Sequence, residues 1–272
     1  IINSMKIENS KLKILIATGI FEPDIGGPAS YAKLLAKNLS DDFKIKIITY
    51  SSVRKYDSDK NYKFQIVRVW KKSPWLLRHA IYALKIFFSG GNSDIIYSLS
   101  ALNGAIPSWL SAKFFKKPFY LRIVGDYAWQ AAAEKGKTDL LIDEFQKNRK
   151  PFWINFIYNL QAGLAKRADL VIVPSEYLKK LVIGWRVKPE KIKVIYNAVS
   201  LKPLDISKEE ARTKIGIHGN IILSVGRLAP WKGFKMLIKI MPQLLNISQF
   251  FRLVIVGDGP DKKNLKMMVE NL

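Results

Sequence analysis

The chain has 272 residues, 49% of them hydrophobic, with a mean hydropathy of zero, so it reads as a globular protein of one large or two ordinary domains rather than a disordered chain. Cysteine is absent, which excludes disulfides, thiolate metal sites and cysteine nucleophiles, and His79 and His218 are too few for a histidine-rich metal centre. Net charge is +23, from 45 Lys+Arg against 22 Asp+Glu, and the cations are scattered, which suits a general field toward anionic lipid or phosphorylated ligands better than one nucleic-acid stripe.

Ile1-Ile2-Asn3-Ser4 precede Met5, the candidate true start, and the apolar run Ile14–Ala17 is too short for a secretory signal. Lys13–Gly19 reads as a first buried strand. The loop after it carries Gly26-Gly27-Pro28 and opens a helix with Ala29, Ala32, Leu35, Ala36 and Leu39 on one face. Pro28 suits a first helical turn, and two glycines let backbone N–H groups approach an anion, although an ordinary βα turn uses the same residues.

Strand-like runs then alternate with helix patterns, at Lys44–Tyr50, Gln65–Trp70, Asp94–Ser100, Pro118–Val124, Asp169–Pro174 and Lys191–Tyr196. This alternation predicts βαβ units around a parallel sheet. Pro74–Phe88 is the most apolar helix, with Arg78 and Lys85 nearly on one face. It fits a helix packed on the sheet or one lying in a lipid interface, and packed helices are commoner. The uncharged window Ile95–Ala112 holds Asn103, Gly104 and Pro107 and is too polar for a membrane span.

Asp126 follows a strand and falls where site residues gather, or else it caps the next helix. Tyr127 and Trp129 form a stacking wall for a sugar or lipid, or belong to the core. Ala131–Lys150 is polar and reads as a loop or loop-helix, and Ser175 is placed to cap a helix over Glu176–Ile183. Ile221 to Phe234 begins as a strand, stops at Gly226, and delivers Arg227 and Lys232 before an apolar helix pattern. An arginine fork and a mobile lysine suit a phosphate; a solvated surface turn explains the pattern equally well. A second strand, Phe251–Val256, runs into Gly257-Asp258-Gly259-Pro260.

In this order the segments resemble the retaining family-4 glycosyltransferases. The resemblance rests on Gly26-Gly27 after the first strand, Pro174-Ser175-Glu176, Tyr196-Asn197-Ala198-Val199, Ser224-Val225-Gly226-Arg227 with Lys232 five residues on, and Val256-Gly257-Asp258-Gly259-Pro260. Each motif alone is weak, but their order and spacing extend from Lys13 to Leu272. The resemblance implies an α/β fold of the GT-B kind: a complete N-terminal Rossmann-like domain over residues 1–200 on the acceptor side, a linker over 201–215, and the first part of a second, nucleotide-sugar-binding Rossmann-like domain over 216–272.

It further implies transfer of a hexose, with retention, from a nucleotide-sugar donor to a lipid-linked or polysaccharide acceptor; the basic charge and the Pro74–Phe88 helix add the expectation of a cytoplasmic protein acting at the inner face of a membrane. Gly26, Gly27, Arg227, Lys232, Gly257 and Gly259 are the implied donor contacts, and Arg227 and Lys232 the groups that stabilise the leaving diphosphate. Asp126 is the third catalytic candidate, standing where many relatives have a histidine, and Tyr127 and Trp129 are the candidate acceptor contacts. No metal and no cofactor are implied. The family's acidic Glu-x7-Glu motif falls beyond Leu272, so impaired donor binding and an exposed second sheet are expected of this chain. The competing expectation is a non-catalytic basic module for anionic lipid or other polyanions; nucleic acid is not an expected partner.

Overall fold

The computed structural model describes residues 11–198 and 204–272. The Ile1–Ser4 leader and the start of the expected linker lie outside the described residues. The chain divides into two compact units, residues 1–128 with 147–198, and 129–146 with 199–272. Residues 129–146, which lie inside the expected N-terminal domain, group with the second unit.

In the first unit the strands are β1 (Lys13–Thr18), β2 (Lys44–Ser51), β3 (Gln65–Trp70), β4 (Ile95–Ser98), β5 (Phe119–Arg122), β6 (Leu170–Val173) and β7 (Ile192–Val194). They form one parallel sheet in the order β3-β2-β1-β4-β5-β6-β7. The chain runs outward from β1 to β3, then returns to β4, which makes β1/β4 the switch point beside which open α/β sheets bind ligands.

Helix α1 (Gly27–Leu39) packs Ala32 and Ala36 against Ile14, Ile16, Ile45 and Ile47. Strand side chains alternate, so Leu15 and Ala17 face the other way, and α2 (Trp75–Gly91) packs against β1, β2 and β3. β1 is therefore buried on both faces, which explains its unbroken apolar run. The helices α3 (Ala105–Phe115), α4 (Tyr127–Glu134), α5 (Ile142–Lys147), α6 (Phe152–Arg167) and α7 (Glu176–Gly184) follow. Ser175 caps α7 as expected, its hydroxyl accepting from the Leu178 N–H at 3.2 Å.

The expected linker over 201–215 ends in a helix, α8 (Lys208–Ile215). A reciprocal capping box starts it: Ser207 accepts from the Glu210 N–H, and the Glu210 carboxylate accepts from the Ser207 N–H. The second unit then pairs β8 (Asn220–Val225) with β9 (Phe251–Val256) in parallel. Helices α9 (Phe234–Ile247) and α10 (Lys262–Glu270) supply Phe234, Ile238 and Leu265, which with Leu228 of the turn after β8 form a small core over Leu253 and Ile255.

Candidate functional site

The turn after β8 is gripped by the turn after β9. The Gly226 N–H donates to Val256 O at 3.0 Å, Leu228 N–H to Asp258 O at 2.9 Å, and Asp261 N–H to Leu228 O at 3.0 Å. A Cβ on Gly257 would lie 1.9 Å from Gly226 O, and one on Gly259 2.3 Å from Leu228 O. Both positions therefore require glycine for backbone contact within this unit. Their effect is to fix the residue between Gly226 and Leu228, which is Arg227.

Leu228 and Ala229 are buried beneath the turn, whereas Arg227 and Lys232 are exposed. Lys232 sits in a short 3-10 turn, Pro230–Lys232, whose last N–H donates to Ala229 O at 2.9 Å. Gly233, at φ 77°, then redirects the chain into α9. Among the described residues neither Arg227 nor Lys232 forms an ion pair. The backbone is held and the charges are free, which is the arrangement an incoming oxyanion needs.

In the first unit the loop after β1 is pinned from several sides. Lys33 pairs with Glu22 at 2.5 Å and Lys71 with Asp24 at 2.7 Å. Arg68 holds Asp59 with two bonds and reaches Glu22 O at 2.7 Å. Burial raises the Glu22 pKa, but bonds from Lys33 and Tyr62 outweigh it and leave the carboxyl below its ordinary value. Beyond these anchors Gly27 is exposed, and a Cβ there would meet nothing within 4 Å. Gly26 is tighter, with Ile20 Cδ1 at 3.3 Å from the added Cβ. Gly27 thus has no steric reason of its own within the unit, unlike Gly257 and Gly259.

Asp126 follows β5 as expected, but it faces inward at 0% exposure. Gln161 on α6 donates to Asp126 Oδ1 at 2.6 Å, and its Oε1 accepts from the Tyr127 N–H at 3.0 Å. Burial lowers the pKa of nearby Lys150, while the Asp126 charge acts to raise it. Tyr127 is exposed; Trp129 is half-buried and its indole N–H donates to Leu140 O at 2.9 Å.

Gln161 and Arg122 are the residues that the sequence reading passed over. Arg122 ends β5 and is 4% exposed. Its guanidinium lies 3.1 Å from the centroid of the Tyr31 ring, and Nη2 donates to Asn197 Oδ1 at 2.5 Å. The available signal was an arginine inside an otherwise apolar strand, and a glutamine on the buried face of an apolar helix. Among the described residues no group of three acidic or imidazole side chains is placed to hold a metal ion.

The chain is similar to known proteins. Residues 25–202 match the family model described as Glycosyltransferase Family 4, and residues 206–272 the one described as Glycosyl transferases group 1. The "Uncharacterized glycosyltransferase MJ1069" of Methanocaldococcus jannaschii is 24% identical over 277 residues, covering 96% of this chain and 67% of that protein. The Campylobacter jejuni N-acetylgalactosamine-N,N'-diacetylbacillosaminyl-diphospho-undecaprenol 4-alpha-N-acetylgalactosaminyltransferase is 29% identical over 168 residues, 58% of this chain and 42% of that protein. The crystal structure of Anabaena HepE with UDP-glucose matches with a TM-score of 0.68 at 19% identity, covering 96% of this chain and 66% of that one. The last likeness shows a shared fold. This chain spans about two thirds of the length of the archaeal relative and of HepE.

Proposed function

The chain belongs to glycosyltransferase family 4, and from that premise we propose that it serves a transferase moving a hexose, with retention, from a nucleotide-sugar donor to a lipid-linked or polysaccharide acceptor. The observation that carries this reading is the clamped turn at 226–228, which presents Arg227 with its charge unpaired among the described residues.

Departure of a nucleoside diphosphate builds negative charge on the leaving phosphate. Cations already fixed at that place stabilise the charge without reorganising. Arg227 supplies a planar fork and Lys232 a mobile ammonium. Gly257 and Gly259 serve the donor by holding this turn, in addition to any direct contact. Gly26 and Gly27 offer backbone N–H groups to an anion, and the open space at Gly27 leaves room for one. Asp126 acts from within its lobe, ordering the start of α4 together with Gln161. Tyr127 is the acceptor-side aromatic, with Trp129 supporting the same helix. A lipid-linked acceptor is supported by one relative, the Campylobacter jejuni protein, which is named for a diphospho-undecaprenol substrate.

A membrane surface is the proposed place of action, at its cytoplasmic face. The exposed side of α2 bears Leu77, Leu84 and Phe88, and Phe114 of α3 lies in the same aromatic cluster as Phe88. Lys85, Lys113 and Lys116 flank them, and Asp94 is the sole acid between Lys71 and Pro118. Apolar side chains ringed by cations fit an anionic lipid interface. Among the described residues no helix is long and apolar enough to cross a membrane. The same face, with the +23 charge, favours a second reading as a non-catalytic module for anionic lipid.

Three measurements test these readings. Release of labelled sugar from a nucleotide-sugar donor is expected to fall about 100-fold in Arg227→Ala; no turnover in either protein leaves the lipid-binding module. Flotation with anionic vesicles and not with neutral ones is expected, and Leu84→Asp should abolish it. Equal flotation with both vesicle types removes the membrane assignment. Product stereochemistry by NMR tests retention.

A further inference from the structure

Among its described residues the first unit contains a buried cation with no counter-ion. Arg122 is 4% exposed at the carboxyl end of β5, and its Nη1 has no hydrogen-bond partner among the described residues. Among the described residues no carboxylate pairs with it. Two neutral groups hold the guanidinium: the Tyr31 ring of α1 stacked at 3.1 Å, and the Asn197 amide oxygen on Nη2. The Tyr31 hydroxyl in turn stands 3.5 Å from that of Tyr97 on β4. Burial alone draws the Arg122 pKa down to about 10, with no charged group acting against it. At neutral pH the group is still a cation.

Such an arrangement is costly if it is only structural. Burying a charge without a partner is unfavourable, and stacking on one ring offsets it in part. An apolar side chain would fill the same strand position at less cost, as Leu121 and Ile123 do beside it. The location is also informative. Arg122 ends β5, Asn197 follows β7, Tyr97 lies on β4 and Tyr31 on the first turns of α1. Arg122 thus sits at the carboxyl end of the strand that adjoins β4, one strand from the β1/β4 switch point beside which open α/β sheets bind ligands, and Asn197 reaches it from the loop after the edge strand β7. Asn197 is exposed, so moving its side chain opens Nη2 alongside the unpartnered Nη1. Two parallel N–H groups on one guanidinium match two oxygens of a phosphoryl group.

We propose that Arg122 is the anion-binding residue of the first unit, taking a phosphoryl group of a phosphorylated ligand on its Nη1/Nη2 edge, with Asn197 as the displaceable cap. The choice of phosphoryl over other anions rests on the transferase reading, in which the donor's diphosphate and a lipid-linked acceptor's phosphate are the two sources.

The test is calorimetric titration of the 272-residue chain with UDP and, separately, with a water-soluble short-chain prenyl phosphate. Arg122→Met removes the charge at similar volume. Asn197→Asp keeps Arg122 and sets an internal carboxylate against it. Both variants are expected to bind at least one probe about tenfold more weakly than the parent. Asn197→Asp should melt no lower than the parent, because it neutralises a buried charge. Loss confined to the prenyl phosphate assigns the site to the acceptor, and loss confined to UDP assigns it to the donor. Should Arg122→Met not fold, Asn197→Asp decides alone. Unchanged affinity for both probes in the variants, or no binding of either by the parent, overturns the proposal. Turnover of nucleotide sugar separates the two readings. Turnover with phosphate binding indifferent to Arg122 leaves the transferase and removes this site. Arg122-dependent binding without turnover does the reverse.

Discussion

β1 and β8 read alike in the sequence, each a short apolar run followed by a glycine-bearing loop and a helix. In the structure every residue of β1 after Lys13 is buried, whereas Leu223 and Val225 of β8 are 62% and 69% exposed. The difference lies in their cover. β1 has neighbours on both edges and helices over both faces. β8 pairs with β9, and its core side turns Leu253 and Ile255 of that partner toward α9 and α10. The opposite face presents Leu223, Val225 and Val256 to solvent. A parallel strand with apolar residues on both sides is written for two layers of cover. Stability should therefore be concentrated in the first unit, whereas the proposed anion site of the second unit rests on a turn that is held locally.

The largest expected effect tests this contrast directly. Leu15→Ala removes a fully buried side chain from β1 and should lower unfolding free energy by about 2–5 kcal/mol. Leu223→Ala, at the matching place in β8, should change it by less than about 0.5 kcal/mol. Denaturant titration of both variants checks the pair, and equal losses would mean that β8 is covered in solution.

A second contrast concerns glycines. Gly257→Ala drives a Cβ into Gly226 O and should cost about 1–3 kcal/mol, releasing the Arg227 turn. Gly27→Ala meets nothing within 4 Å and should leave the melting temperature unchanged while weakening anion binding. A melting loss in Gly27→Ala and none in Gly257→Ala would reverse the assignment.

The smallest effect belongs to the paired loop after β1. Glu22 has a folded pKa below its ordinary value of 4.5: burial raises it, but bonds from Lys33 and Tyr62 prevail. A depressed carboxyl stabilises the fold above that value, and the stability is lost as pH falls through the folded pKa. Glu22→Gln should remove less than about 1 kcal/mol at neutral pH, since the pair is partly solvated. Its stability should also change less than the parent's in acid. Melting both proteins across that range tests the sign.

The sequence alone determined the kind of most elements, though not of α8, which lies in a stretch expected to be linker. Period-two and period-3.6 apolar patterns located the strands to within a residue or two, and Ser175 announced the start of α7. Ser207 and Glu210 carried the capping box that begins α8, a local signal within a stretch expected to be linker. The family was legible because its motifs keep their order along the chain. What only the tertiary structure decided were the relations between distant segments. Gly26-Gly27 and Gly257–Gly259 look equivalent in sequence, yet the second pair is spent on contact with Gly226 and Leu228, some thirty residues earlier. Asp126 could have been a surface acid or a buried one; Gln161, 35 residues on, settles that it is buried. The open charge of Arg122 depends on Tyr31 and Asn197, from opposite ends of the first unit. Periodicity is a property of neighbours in the chain, so it can be read directly. Burial and pairing are properties of neighbours in space, and they exist only once the chain has folded.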